Sequence, residues 1–106
     1  FYVSNMYHDN SNIYAVIYNN GNVPISLSSV QVIAQELYST NNSFDGTVYT
    51  CNITNNTVLS PGVQAIVYVS CGSSTSTIIT NLENGTKFYN FIFTYQGTTQ
   101  QYQMTS

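Results

Sequence analysis

Apolar and polar residues alternate one by one through most of this chain, and that alternation limits the folds open to it. Within residues 11–18, for example, Ile13, Ala15 and Ile17 share one face of an extended segment. A period of two is the period of a β-strand, whereas a helix repeats every 3.6 residues. No window shows a convincing 3.6 period, so the sequence predicts an all-β fold.

Turn residues divide the alternation into seven to eight mostly antiparallel strands. The predicted strands are residues 1–6, 11–18, 25–38 with a break near Ser28 and Ser29, 47–53, 63–71, a short strand at Ile78 and Ile79, 87–95 and 99–105. This number and spacing are typical of an immunoglobulin-like β-sandwich. Because 106 residues suffice for one buried core but not for two, we predict a single domain spanning 1–106.

Four turn signals punctuate the strands. Asn-Asn-Gly-Asn at 19–22, followed by Pro24, indicates a corner where the chain leaves one sheet edge and re-enters the fold elsewhere, because proline cannot donate to a strand ladder. Leu-Ser-Pro-Gly at 59–62 predicts a tight turn. We expect Gly85 to turn the chain between two strands, and Gln-Gly at 96–97 to close a C-terminal hairpin.

Charged side chains are scarce, and this excludes some partners. Asp9, Glu36, Asp45, Glu83 and Lys87 make up 5% of the residues, whereas a soluble domain typically has about 25%. With one lysine and no arginine, the chain cannot present the basic patch that nucleic acids require. We expect acid unfolding by self-repulsion to be mild, and we expect the four carboxylates to be solvated charges in loops or at sheet edges.

No residue pattern predicts catalysis, a metal site or a cofactor. His8 is the only histidine, and its neighbour Asp9 does not orient an imidazole as a catalytic triad requires. Zinc sites use about four cysteine or histidine ligands, and the chain has two cysteines. We therefore predict a protein that is not an enzyme.

Cys51 and Cys71 form either a disulfide or a pair of buried thiols, and the disulfide is the better interpretation. There is no tryptophan, and a separation of 20 residues is too short for the inter-sheet bridge of antibody domains. We expect the bond to join neighbouring strands or strand ends. A loop of that length stabilises the fold by about 3 kcal/mol in the chain-entropy view.

Four Asn-x-Ser/Thr sequences support an extracellular location. The acceptor residues are Asn41, Asn52, Asn55 and Asn84, and such sequences carry N-linked glycans on surface loops of secreted proteins. Their presence agrees with a disulfide, which also persists outside the cytoplasm. We predict glycosylation at these positions.

Outward-facing apolar residues indicate an interaction surface. In the strand predicted at 63–71, alternate residues from Val63 to Cys71 form a core-like face, which leaves Ile66 and Tyr68 pointing outward. Ile33 alternates outward in the same way between two glutamines. Ten tyrosines exceed what a core needs, and tyrosine provides contact area at low entropic cost. We predict an interface at Ile33, Ile66 and Tyr68; the alternative is that a second layer or a glycan covers them.

Three stretches together resemble the globular domains of archaeal type IV pilin-like surface proteins, namely pilins, archaellins and archaellum stator components. They are "VIYNNGNVPISLSSVQV", "LSPGVQAIVYV" and "NGTKFYNFIFTYQGTTQQYQM", which carry the Asn-x-Gly corner with its Val-Pro step, the Leu-x-Pro-Gly turn and the C-terminal hairpin. Members of that family have an N-terminal hydrophobic helix that this sequence does not contain, so we expect contact with a membrane only through such a missing helix.

The resemblance implies a non-catalytic structural or anchoring domain of an archaeal surface filament. It implies a position at the cell surface, between the membrane and the surface layer, with protein partners: the surface-layer protein, other filament components or further copies of the chain. A stator-type accessory protein fits better than a filament subunit, because filament subunits need the helix to polymerise. The alternative function is an adhesive pilin subunit or a glycan-binding module, in which exposed tyrosines stack on sugars.

Overall fold

The computed structural model describes all of residues 1–106 and contains nine β-strands and one α-helix. The strands are β1 Tyr2–His8, β2 Ile13–Tyr18, β3 Ile25–Ser26, β4 Gln31–Tyr38, β5 Phe44–Ile53, β6 Val58–Leu59, β7 Gln64–Ser70, β8 Lys87–Tyr95 and β9 Thr98–Met104; the helix is α1 Thr75–Asn84. A 3-10 turn, Leu27–Ser29, interrupts the segment between β3 and β4, at the predicted break.

Seven strands form one antiparallel sheet in the order β1-β2-β7-β5-β4-β8-β9, and β3 and β6 form a separate pair. The sheet folds over on itself. Strand β5 pairs with β4 through six residue pairs but with β7 through only two, Asn52 with Ser70 and Ile53 with Val69. We call β1, β2 and β7 the front half, and β5, β4, β8 and β9 the back half. The immunoglobulin-like all-β sandwich predicted from the sequence is confirmed.

One hydrophobic core lies between the two halves. The front half contributes Ile13, Ala15 and Ile17, as the alternation predicts, and the back half contributes three fully buried aromatic side chains, Tyr89, Phe91 and Phe93. These residues belong to one cluster of 23 buried side chains. At the outer edges of the sheet, the hydroxyl of Tyr102 in β9 donates to Asn5 Oδ1 in β1 at 3.0 Å, so the first and last strands approach each other.

A buried asparagine fixes the corner after β2. Asn19 is 1% exposed, and its Nδ2 donates to the carbonyl oxygens of Val23 at 2.8 Å and Leu59 at 3.0 Å. Its Oδ1 accepts the N–H of Gly21 at 3.0 Å, and its backbone carbonyl accepts the N–H of Gly62 at 2.7 Å. One side chain therefore joins the Asn-x-Gly corner to the Leu-Ser-Pro-Gly turn, two motifs that lie 40 residues apart.

The short strand predicted at Ile78 and Ile79 is wrong, because these residues lie in α1. The helix buries Ile78, Ile79 and Leu82. Positions 79 and 82 lie one and four residues after 78, which is helical spacing, but three residues cover too few turns for a helical period to be recognised in the sequence. Gly85 is its C-terminal cap at φ 67°. The N–H groups of Gly85 and Thr86 donate to the carbonyls of Leu82 and Asn81, the Schellman pattern that favours glycine.

The start of β7 differs from the prediction, whereas the C-terminal hairpin agrees with it. Val63 was expected on the core face of its strand, but it precedes β7 and is 45% exposed, because Asn19 and Ser60 hold its backbone in the preceding turn. The C-terminal hairpin is as predicted: Gln96 and Gly97 both have positive φ, which matches a two-residue type I′ turn. No helix in the structure is long and apolar enough to cross a membrane.

Candidate interaction surface

Three tyrosines form a row across the outside of the front half. Tyr7, Tyr14 and Tyr68 are directly opposite one another in β1, β2 and β7. The ring centroids of Tyr7 and Tyr14 are 4.9 Å apart with an interplanar angle of 19°, and those of Tyr14 and Tyr68 are 5.1 Å apart at 47°. We call these three residues the tyrosine row. Such cross-strand aromatic contacts stabilise adjacent strands and present a continuous aromatic surface.

Apolar side chains extend this surface along β2 and β7. Ile66 is 57% exposed and Tyr68 is 46% exposed, and Ile66 lies opposite the half-buried Val16. At the far end, Tyr2 and Tyr18 make an edge-to-face contact at 5.6 Å. We call the tyrosine row with these four residues the front face. None of these seven side chains is charged, and the Asp9 carboxylate lies at the edge of the face, where its Oδ2 accepts the hydroxyl of Tyr14 at 2.7 Å.

The structure brings together two of the three predicted interface residues. Ile66 and Tyr68 share the front face, whereas Ile33 is half-buried in β4 of the back half. Its cross-strand neighbours are Thr50 and Ile92, and it lines a separate surface depression with Thr50. Ile33 therefore belongs to a different surface from the other two.

The disulfide joins the two halves where they meet. Cys51 lies in β5 next to Asn52, Cys71 directly follows β7, and their sulfur atoms are bonded at 2.00 Å. The bond lies beside the two residue pairs that connect β5 and β7. It joins neighbouring strands, as the short sequence separation predicts, and both residues are buried in the core.

The four predicted glycosylation acceptors lie at different places. Asn41 is exposed in the turn between β4 and β5, and Asn84 is exposed at the end of α1. Asn52 is exposed in β5. Asn55 is half-buried, and its Oδ1 accepts the backbone N–H of Tyr68 at 2.8 Å. Three of the four side chains are thus exposed, and Asn55 lies against the tyrosine row.

The His8 and Asp9 side chains do not form a catalytic pair. Asp9 accepts the backbone N–H groups of Ser11 and Asn12 and the hydroxyl of Tyr14, at 2.7 to 2.8 Å. These hydrogen bonds lower the pKa of Asp9, and the one from the Ser11 N–H contributes most to that lowering. The imidazole instead contacts the Asp9 backbone carbonyl at 2.9 Å. The carboxylate stabilises the turn between β1 and β2 and leaves the imidazole without an acidic partner.

Glu36 and Asp45 are not the solvated charges that the sequence was expected to place in loops. Their side chains are only 9% and 5% exposed, and both face Lys87, whose Nζ lies 3.8 Å from Glu36 Oε1 and 2.8 Å from Asp45 Oδ2. The ammonium also lies 4.1 Å from the ring centroid of Tyr38. We call Glu36, Asp45 and Lys87 the ionic cluster. The prediction failed because the register that aligns β4, β5 and β8 is not visible in the local sequence.

Two tyrosine hydroxyls donate hydrogen bonds to the other carboxylate oxygen of Glu36. Its Oε2 accepts the hydroxyls of Tyr49 at 3.0 Å and Tyr89 at 2.8 Å, and Tyr89 in turn accepts Asn81 Nδ2 at 2.8 Å. Burial raises the pKa of both tyrosines. The cluster therefore connects α1 to the back half, and none of the three surface depressions opens onto it.

We expect the stability that the ionic cluster contributes to the fold to decrease at acidic pH. Burial alone would raise the pKa of Asp45, but the hydrogen bonds donated by the Lys87 ammonium and the Thr47 N–H outweigh it, and that pKa is lowered from 3.8 to about 2. Because the folded pKa is lowered, this stabilisation is complete above about pH 4 and is lost as the pH falls through about 2. The difference corresponds to about 2 kcal/mol.

We therefore expect Asp45→Asn to lower the free energy of unfolding by about 2 kcal/mol at pH 7 and to converge with the unmodified protein near pH 2. Urea titrations across this range measure the difference. Glu83→Gln is the control, since Glu83 is exposed and makes no ion pair. A constant difference between Asp45→Asn and the unmodified protein at all pH values would contradict this role.

Two solved structures from Sulfolobus acidocaldarius are similar to this chain. The archaellum periplasmic stator protein FlaG has a TM-score of 0.58 and 17% identity, with 96% of this chain and 95% of that chain covered. A chain of the archaellum periplasmic stator protein complex FlaF and FlaG has a TM-score of 0.57 and 19% identity, with 96% and 85% covered. No protein-family model and no curated protein sequence matches. This chain therefore shares the β-sandwich fold of the archaellum stator proteins.

Proposed function

We propose that this chain is the extracytoplasmic domain of an archaellum stator-like protein, which holds other proteins by surface contact and catalyses no reaction. The observation that carries the proposal is the match to FlaG over nearly the whole length of both chains. The similar structure of FlaF with FlaG supports assembly with a second protein. The domain would act between the membrane and the surface layer, where its disulfide is stable.

The front face is the proposed contact surface. Ile66 and Tyr68 are its most exposed members, and exposed apolar surfaces of this kind mark sites of protein association. Asp9 is the only charged residue that hydrogen-bonds to a front-face side chain, and it lies at the edge of the face beside Tyr14, so an apolar surface of a second copy or of a surface-layer protein can pack on Ile66. Ile33 on the back half is proposed as a second, separate contact.

The first test is self-association. We expect Ile66→Lys to lower the solution mass by light scattering, since a lysine at the centre of the face must be desolvated in the complex. Its melting temperature should stay unchanged, because the side chain is exposed and contributes little to folding. Val58→Lys is the matched control: Val58 is 62% exposed in β6, away from the front face.

The second test is capture of purified surface-layer protein by the immobilised domain. We expect the unmodified protein and Val58→Lys to retain it and Ile66→Lys to lose it. A protein that stays monomeric at high concentration and also retains no surface-layer protein would contradict the proposal.

A further inference from the structure

The tyrosine row ends at a small polar depression between the two halves. The depression has a volume of about 310 Å³, and Tyr68 forms one of its walls. Its other polar side chains come from Ser11 and Asn12 after β1, Thr54 after β5, Ser70 at the end of β7 and Thr75 at the start of α1. An aromatic ring and a set of neutral polar groups therefore meet at one place. The volume is at the lower end of the range for small-ligand sites.

The backbone around Tyr68 is held firmly. Its N–H donates to Asn55 Oδ1 at 2.8 Å, and its carbonyl accepts the N–H of Thr54 at 3.1 Å. On one side its ring is packed against Tyr14, while 46% of the residue stays exposed. A ring fixed in this way can stack on a ligand with little loss of conformational entropy.

Several hydroxyl groups of the depression have unused hydrogen-bonding capacity. Ser70 Oγ accepts the N–H of Gly72, and Thr75 Oγ1 accepts the N–H of Cys71, so both O–H groups remain free to donate. The hydroxyls of Ser11 and Thr54 form no hydrogen bond within the chain, and each can both donate and accept. Four hydroxyls are therefore available to a ligand beside one aromatic ring.

The chemistry of the depression selects a class of ligand. No charged residue lines it, which disfavours phosphates, carboxylates and amines, because each needs an ionic partner when it leaves water. A ligand that offers both an apolar C–H face and several hydroxyls complements a ring beside neutral hydroxyls. Pyranose sugars have this combination.

We propose that the depression beside Tyr68 binds a neutral sugar residue of a glycan carried by another molecule. One pyranose face stacks on the Tyr68 ring, and its hydroxyls bond to Ser11, Thr54, Ser70 and Thr75. Tyr68 is shared with the front face, whereas Ile66 does not line the depression, and the sugar site does not depend on the proposed stator-like function. It would give a surface domain a way to hold glycosylated neighbours.

The test uses ¹⁵N-labelled protein from a bacterial host that adds no glycan. Maltotriose, mannotriose and chitotriose are the neutral probes, and a heparin-derived disaccharide is the anionic control. We expect at least one neutral probe to produce saturable shifts at the amides of Thr54, Tyr68 and Gly72, with a Kd of millimolar order as for a small contact area. The anionic disaccharide should produce none.

Substitutions then identify the binding groups. We expect Tyr68→Ala to weaken binding about tenfold or more, which is the effect of losing one aromatic stacking contact, while Tyr68→Phe keeps the stacking and most of the affinity. Thr54→Val provides a second variant and should weaken binding through the lost hydroxyl. Tyr2→Ala is the control, because Tyr2 is 41% exposed at the far end of the same face.

Three outcomes would overturn the proposal. They are the absence of saturable shifts with all three neutral probes, affinity that is unchanged in both Tyr68→Ala and Thr54→Val, and equal binding of the anionic disaccharide.

Protein from a glycosylating host adds a check on the source of the sugar. If contacts between a sugar and Tyr68 occur only there and originate from a glycan on Asn55, the ligand belongs to this chain and the proposed external glycan is wrong. Because Ile66→Lys leaves the depression intact, loss of self-association and loss of sugar binding are measured separately.

Discussion

Asn19→Ala is expected to lower the free energy of unfolding by about 3 kcal/mol. The substitution removes three hydrogen bonds, two donated by Asn19 Nδ2 to the carbonyls of Val23 and Leu59 and one accepted by its Oδ1 from Gly21. Leu59 is 3% exposed, so water cannot easily replace the bond to its carbonyl. An unpaired buried carbonyl costs more than the hydrogen bond contributed.

Asn20→Ala is the matched control for this prediction. Asn20 is the next residue, is exposed and makes no side-chain hydrogen bond, so its replacement should change the free energy of unfolding by less than about 0.5 kcal/mol. Urea titrations of both variants give the comparison. Equal effects of the two substitutions would show that the corner depends on its backbone turn alone and not on the buried amide.

Asn19→Asp places a carboxylate at the same buried site. At pH 7 the carboxylate cannot donate to the carbonyls of Val23 and Leu59, and its charge would face two carbonyl oxygens in a buried site. The pKa of the new carboxyl should therefore rise on folding. Stability should be greatest at pH values below the pKa of a free aspartate, and it should fall as the pH rises from there through the raised pKa of the folded state. This is opposite to the behaviour expected from Asp45.

Most strands were predicted because one of their sides is more buried than the other, whereas the two-residue strand β6 was not predicted. In β2, a period of two identifies Ile13, Ala15 and Ile17 as core, and no tertiary information is needed. The hairpin at Gln96 and Gly97 was predicted for a similar reason, since a two-residue turn with positive φ favours few residue types. Local chemistry decides both features.

Features that depend on pairing between distant strands were not predicted. The ionic cluster forms because β4, β5 and β8 align Glu36, Asp45 and Lys87 from positions up to 51 residues apart in sequence (87 − 36). The helix was missed because its apolar residues, Ile78, Ile79 and Leu82, span little more than one turn. Its C-terminal glycine at 85 was recognised as a turn but not as a helix cap.

The candidate interaction surface was partly predictable. Alternation placed Ile66 and Tyr68 outward, and both are exposed on β7. The tyrosine row itself required the register of three strands, which sets Tyr7, Tyr14 and Tyr68 side by side. Ile33 shows the limit of the same reasoning, because alternation gives the side of a strand but not the half of the sandwich to which that strand belongs.

Removal of the disulfide is expected to cause the second large loss of stability, because the bond lies where the two halves are most weakly paired. Strands β5 and β7 share two residue pairs, so few backbone hydrogen bonds oppose their separation. The bond between Cys51 and Cys71 spans 20 residues, and a loop of that length restricts the unfolded chain by about 3 kcal/mol. For a domain of this size, that corresponds to a decrease of roughly 15 °C in melting temperature when the bond is removed.

The double substitution Cys51→Ala with Cys71→Ala should show this decrease in thermal unfolding followed by circular dichroism, and reductant should produce a similar decrease in the unmodified protein. Reductant should leave the double variant unchanged, which controls for other effects of the reagent. Hydrogen exchange locates the loss: amides at the β5–β7 junction, at Asn52 and Ser70, should lose protection before those of β8, which is paired on both sides by β4 and β9. If the unmodified protein melted at the same temperature with and without reductant, the two halves would be held by the core alone, and the bond would be dispensable for folding.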